Sequence, residues 1–219
     1  MDETIAGIKY HLPDAHIIIM ADGIWDKLAF RHGQYEEYLN RIDRKYSNTQ
    51  VIRFPQHTQQ TAMAQYAIQN FVKTKLIWWN EHDATLRVDR SIDWDAIVNE
   101  VESGTAGLVR LSYFDEGIHE AHEHMTRGRY RIGNATFVKT TQFSGWLFLT
   151  TIDFFISKIF SGQPIGRQML ELRMHDIIAN SPWEAYKIVT WCPDGPAQRF
   201  RHTNGRGAGV EVRDPCDWS

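Results

Sequence analysis

Cysteine is nearly absent, with two in 219 residues. Cys192 and Cys216 give no disulfide framework, and their spacing matches no zinc motif. So few thiols fit a reducing cytosolic compartment, with room for one bridge at most. Neither sign of charge dominates: 24 Lys and Arg against 27 Asp and Glu leave a net charge of −3. No bulk basic field therefore draws in nucleic acid or anionic membrane. Long apolar runs are missing too. The nearest, WLFLTTIDFFISKIF at 146–160, carries Asp153 and Lys158. It is too short to span a bilayer and reads as core rather than as a membrane-surface segment. The first residues lack the charged, apolar and small-residue regions of a secretory signal, so a cytoplasmic protein is expected. Internal repeats, linkers and low-complexity tracts are also missing.

The rest is ordinary globular composition, 42% hydrophobic and 23% charged, enough for one domain with a substantial core. ETIAGIKYHL reads as a short helix closed by Pro13. AHIIIMADG is a buried strand, Ile17 to Met20, ending in an Asp22-Gly23 turn. TQVIRF is a second strand. TQQTAMAQYAIQNFVKT places Ala62, Tyr66 and Phe71 at helical spacing, with Thr58 or Thr61 as cap. DWDAIVNEVESG is a helix begun by Asp93 and stopped by Gly104, and AGLVRLSYF is another strand. This alternation predicts an α/β fold with a mainly parallel sheet and helices on both faces. Beyond it, residues 117–151 mix a His-rich loop with extended stretches that read as antiparallel additions. GRQMLELRMHDIIAN is a helix with Leu170, Met174, Ile177 and Ile178 on one face, and AYKIVTW is a last strand. The tail CPDGPAQRFRHTNGRGAG reads as loop.

One stretch carries chemistry. Leu76-Ile77-Trp78-Trp79 is apolar enough for a buried strand, yet it runs straight into Asn80-Glu81-His82-Asp83. A buried strand that delivers acids to the rim of a sheet places them where open α/β sheets bind ligands.

The order of these pieces, with NEHDATL, KTTQFS, MLEL and HTNGRG, resembles the nucleotide-sugar-dependent glycosyltransferases of the GT-A fold. The likeness is to family-2-like members, in particular the compact soluble phage and bacterial forms, and it runs over most of the chain. It implies a single Rossmann-like GT-A domain over 1–219. Residues 1–110 would be the nucleotide-sugar half. Residues 111–219 would be the acceptor half, ending in a metal and diphosphate loop. The implied activity is a metal-dependent, inverting transfer from a UDP- or GDP-sugar to an acceptor hydroxyl, with Mn2+ or Mg2+ as cofactor. A phage origin would place it in the host cytoplasm.

Residue by residue, the resemblance makes Asp83 a metal ligand and gives Glu81 the ribose or a metal-bound water. Glu stands at 81 where the family more often has Asp. His82 is expected to point away from the metal, as alternation along an extended backbone requires. His202 would complete the metal shell and Arg206 would hold the diphosphate, beside Arg199 and Arg201. Asp22 would contact base or ribose. Glu171 would take the acceptor's proton, ahead of Asp115, Glu116 and Asp176. It also falls in an Arg167, Glu171, His175 stripe at helical spacing. Gln142, Ser144 and Trp146 would face the acceptor.

Other readings stay open. His119, His122 and His124, with Glu120 and Glu123, have the residue types of a zinc site. Arg127 to Arg131 (RGRYR), with the Arg-rich tail, is the one candidate surface for an acceptor that is a hydroxymethylated pyrimidine in phage DNA, rather than a glycan. The family also begins with a strand, whereas Met1-Asp2-Glu3-Thr4 enters the first helix directly. The expectation is a sheet without its first strand, or a chain missing part of the natural protein. The alternative function is a catalytically inactive glycan- or partner-binding module on a decayed GT-A scaffold.

Overall fold

The structure is a computed structural model, and it describes residues 1–161 and 168–202. The chain opens with helix α1 (Asp2–His11), strand β1 (Ile17–Ala21) and helix α2 (His32–Lys45), then β2 (Thr49–Arg53), α3 (Gln60–Asn70), β3 (Leu76–Asn80) and β4 (Ala84–Leu86). Next come α4 (Trp94–Glu102), β5 (Leu108–Leu111), β6 (Thr126–Ile132), β7 (Ala135–Thr140) and β8 (Leu147–Thr151). One helical turn, α5 (Ile152–Phe154), leads into a wider turn at Phe155–Ile159, followed by α6 (Leu170–Ala179), α7 (Trp183–Tyr186), β9 (Ile188–Pro193) and β10 (Phe200–His202).

The central sheet has the order β3-β8-β5-β9-β7-β6. Strands β3, β5, β9 and β6 run one way and β8 and β7 the other, because β8 pairs antiparallel with both β3 and β5. The parallel direction expected from the strand-helix alternation is kept. β5 and β9 pair directly in parallel, whereas β3 and β5 are separated because β8, a strand of the antiparallel second half, enters between them. β1 and β2 form their own parallel pair, and β4 pairs antiparallel with β10.

The period-2 pleat sorts apolar side chains to two faces. Val109, Leu149, Val189 and Trp191 join Ile97 and Val101 of α4 in one buried cluster. Leu108, Phe148 and Ile188 join Phe155, Leu170 and Met174 in the other. The run 146–160 is core, as its composition predicts: Phe148 and Phe155 are fully buried. No helix among the described residues is long and apolar enough to cross a membrane.

Asp93 caps α4 as expected, its carboxylate accepting the Ala96 N–H at 3.0 Å. Three local expectations are corrected. α3 is capped by neither Thr58 nor Thr61. Thr58 bonds the Gln56 carbonyl and Thr61 the Gln168 carbonyl, while the Asp22 carboxylate accepts the Thr58 and Gln59 N–H groups. The buried face of α3 is Met63, Ala64, Ala67 and Ile68, and Tyr66 is exposed. On α6, Ile177 is exposed and Arg173 takes a buried place, donating to the Ile159 carbonyl at 2.9 Å. Helix α2 has no counterpart in the sequence reading. It buries only Leu39 and Ile42, too thin a stripe to announce a helix.

Candidate functional site

β3 ends at Asn80, and Glu81-His82-Asp83 forms the turn into β4. Asn80 shapes this turn, its amide donating to the Glu81 and Ala84 carbonyls. Since the backbone turns here, His82 is not held by strand alternation. It is exposed, and its carbonyl is tied to Thr4 of α1 at 2.7 Å. The β4–β10 ladder then sets His202 opposite Ala84, which brings His202 Nε2 within 3.4 Å of Asp83 Oδ2. Trp146 covers the imidazole, the rings stacked at 5.0 Å between centroids.

One ligand atom from each of Glu81, Asp83 and His202 lies within 4.8 Å of the others, forming the only such group among the described residues. The His119, His122 and His124 stretch does not converge in this way. There His119 caps its own short helix through Nδ1, His122 meets Gln142, and Glu123 pairs with Arg129.

The donor set fits a divalent cation. Burial pushes Asp83 up, but the His202 hydrogen bond and the charges of His82 and His202 outweigh it, so its carboxyl lies below the usual range. The same hydrogen bond raises His202. Burial, with the charges of Asp83 and Glu171 against the Gln60 hydrogen bond, pushes Glu81 up to about 7. Three clustered donors that repel a full set of negative charges are what a cation relieves. Two carboxylates with one imidazole are ligand types that a divalent cation accepts.

Glu81 is positioned from two sides. Gln60, at the start of α3, donates to Glu81 Oε1 at 2.8 Å and accepts the Leu170 N–H of α6 at 2.8 Å. On the other side, a Cβ at residue 145 would stand 2.9 Å from Glu81 Oε1, so Gly145 is the residue that lets the carboxylate lie there. The Gly145 backbone also reaches the Glu171 carboxylate, in the first turn of α6. Glu171 is raised by burial, countered by Arg110 and His175. Its charge is felt at Glu81 and His202, so it belongs to the same cluster. Asp176 is exposed on the far turn of α6, and Asp115 binds Arg90 and the Gln198 N–H.

The remaining predicted residues fall as follows. Asp22 accepts from Gly23, Thr58 and Gln59 amides and lies 2.8 Å from His57 Nδ1, so its carboxylate organises the loop ahead of α3. Gln142 binds Arg110 and His122. Ser144 is buried and accepts the Trp146 N–H at 3.4 Å. Arg199 is buried and satisfied by the Ser91, Pro196 and Gln198 carbonyls, which corrects its assignment to the diphosphate. Arg201 is exposed. Arg206 and Arg167 lie outside the described residues.

Sequence reasoning missed Gln60, His57 and Arg110. Gln60 and His57 sit in a polar run, HTQQ, with no motif to mark them. Arg110 is the one charge within the apolar strand LVRL, a signal that was available. Its guanidinium donates to the Gln142 carbonyl and side chain, both at 3.1 Å.

No protein-family model and no curated protein sequence matches the chain. Its structure is similar to the crystal structure of GalNAc-T7 with UDP, GalNAc and Mn2+, with a TM-score of 0.57 over 91% of this chain. The fold is GT-A-like. Identity is 11%, and this chain spans 40% of that protein's length, so the likeness establishes the α/β architecture expected from the sequence. In this GT-A-like fold, the acid-histidine cluster sits at the carboxyl end of β3.

Proposed function

We propose that the protein is a metal-dependent glycosyltransferase that moves a sugar from a nucleoside-diphosphate donor to an acceptor hydroxyl. The observation that carries this reading is the meeting of Glu81, Asp83 and His202, from two segments distant in sequence, beside the raised carboxyl of Glu171. The GT-A-like neighbour solved with UDP and Mn2+ supports a UDP-sugar and Mn2+ as first choices for donor and metal.

Asp83 and His202 would hold the cation, with Glu81 as third ligand or as the group that fixes a ligand water. When bound, the cation would supply positive charge for the diphosphate leaving group. The chain's own residues do the rest. Glu171, held by the Gly145 backbone and raised by burial, suits removal of the acceptor hydroxyl proton. A base acting opposite the leaving group gives inversion. Asp22 would act on the donor side through the 57–60 loop it orders, which presents His57 and Gln60. Gln142 and Trp146 border the acceptor side, with Arg110 behind Gln142.

A glycan acceptor is favoured over duplex DNA. In the RGRYR stretch Arg129 pairs with Glu123 and Arg131 with Asp194, so little uncompensated positive charge is left for phosphates. A second reading, a binding module without transfer, draws on the wide cavity whose lining includes Ile17, Ile19, Ile77 and Trp78.

The test is calorimetry of UDP with Mn2+ on the wild type and Asp83→Asn, followed by donor turnover across UDP- and GDP-sugars. The neutral amide is a poor ligand for a hard cation, so the variant should keep its fold and lose metal-dependent nucleotide binding. Equal affinities would remove the metal assignment. Binding without turnover of any donor would favour the binding module.

A further inference from the structure

Arg173 and Arg199 are buried, and both are satisfied inside the protein. Arg173 donates to the Ile159 carbonyl, and Arg199 donates to the Ser91, Pro196 and Gln198 carbonyls. Arg110, in the short apolar strand β5, is different. It is half-buried, and only Nη1 is engaged, donating to the carbonyl and the side-chain oxygen of Gln142. Nε and Nη2 donate to no group among the described residues, and neither is sealed from solvent. No described carboxylate comes within 4.0 Å of the guanidinium. Burial pulls Arg110 down to about 10, against the charge of Glu171, so it stays protonated at neutral pH. A partly desolvated cation with unused N–H donors is costly unless an anion meets it.

The unused nitrogens have a particular geometry. Nε and Nη2 form the edge of a guanidinium that grips a carboxylate or phosphate through two parallel bonds. Gln142 holds the other end of the group, so the fork is fixed before any ligand arrives. Its neighbours put it on the acceptor side. Gln142 borders that side, and Glu171 acts on Arg110 from the first turn of α6. Strands β3 and β5 run the same way. Arg110, one residue short of the carboxyl end of β5, therefore stands toward the end of the sheet that holds Glu81.

We infer, resting on the transferase reading above, that the acceptor is an acidic sugar. Its carboxylate or phosphate is held by Nε and Nη2 of Arg110 while its hydroxyl faces Glu171. Arg110 then also stands as a counter-charge between two acids that would otherwise repel, the acceptor's and Glu171. A neutral acceptor leaves the fork unpaired, so the site discriminates against it.

UDP binding with Mn2+ to the intact chain is measured first. The loaded protein is then titrated in a calorimeter with methyl glucuronide, glucose 6-phosphate and neutral methyl glucoside. Both acids should bind at least about tenfold more tightly than the neutral sugar, through paired charge-assisted bonds. In Arg110→Gln this preference should vanish. Arg110→Lys keeps the charge without the fork and should retain only part of the preference. Thermal melts check that both variants fold, and Arg110→Lys decides alone if the other does not. A wild type that binds UDP but does not prefer the acids refutes the acidic acceptor and leaves the transferase reading intact. A preference untouched by the substitutions would overturn the inference as well. So would a preference for UDP-glucuronate over UDP-glucose that Arg110→Gln removes, because the acid would then sit on the donor sugar. A chain that does not bind UDP with Mn2+ removes the transferase reading and this acceptor with it.

Discussion

Gln60 holds Glu81 through a 2.8 Å hydrogen bond while its own carbonyl oxygen receives the Leu170 N–H. One side chain thus connects the start of α3, the acid after β3 and the start of α6, which bears Glu171. Gln60→Leu should have two effects. Losing the bond to the Leu170 amide should lower stability by about 1 kcal/mol. Releasing Glu81 should weaken Mn2+-dependent UDP binding by about 10- to 100-fold, as is usual when a partner that orients a metal ligand is lost. Calorimetry and a denaturant titration read the two separately. Unchanged binding with lowered stability would restrict Gln60 to a structural role.

Gly145 makes a narrower prediction. A methyl group there meets Glu81 Oε1 at 2.9 Å, so Gly145→Ala must displace the carboxylate or the 144–146 loop. Donor binding should fall by about tenfold or more, and Gly145→Ala with Glu81→Ala should bind no worse than Glu81→Ala alone. Additive losses in this double-mutant cycle would place the effect of Gly145 elsewhere.

Much of this arrangement was legible in the sequence, and the reasons are physical. The strands Ile17–Ala21 and Leu76–Asn80 and the helix begun by Asp93 announce themselves because burial and capping act locally. The pairing of Glu81 and Asp83 with His202 was reached only through the family resemblance. In the structure it depends on the β4–β10 ladder, whose register is invisible along the chain. Gln60 was illegible because its importance comes from contacts 21 and 110 residues away. The structural role of the Asp22 carboxylate was illegible for a related reason. An Asp before Gly reads as a turn or a ligand, and its bonds to the Thr58 and Gln59 N–H groups in the loop ahead of α3 could not be read from the sequence.

Tyr130 and Glu100 offer a test of the fold away from the site. The phenol donates to the Glu100 carboxylate, which is 7% exposed, and burial together with that bond raises Tyr130 above its ordinary value. Tyr130→Phe leaves a buried carboxylate short of a donor, which costs about 1–3 kcal/mol. Denaturant unfolding should show this loss with UDP and Mn2+ affinity unchanged. A loss of nucleotide affinity would mean that the β6 edge communicates with the metal cluster.

The last prediction concerns Glu81 without metal. Its carboxyl is raised to about 7 in the folded chain from an ordinary 4.5, chiefly by burial and by the Asp83 and Glu171 charges. The folded state therefore holds this proton more tightly than the unfolded state does. Its contribution to stability is full below the unfolded value and is lost as pH rises through the folded value. Replacing the carboxyl by an amide removes the titration and keeps an acceptor for Gln60. In chelator, the wild type should therefore lose stability relative to Glu81→Gln between about pH 5 and about pH 8, by on the order of 1–3 kcal/mol. The comparison isolates Glu81, because the His202 and Glu171 titrations are common to both proteins to first order. Saturating Mn2+ should reverse the sign for the wild type alone, since binding to the folded state then favours the ionised acid. Thermal melts across that range, with chelator and with Mn2+, measure both halves. Parallel curves for the two proteins in chelator would show that Glu81 is not held in a buried acidic cluster. A wild type that Mn2+ does not stabilise would show that the cluster does not hold the metal.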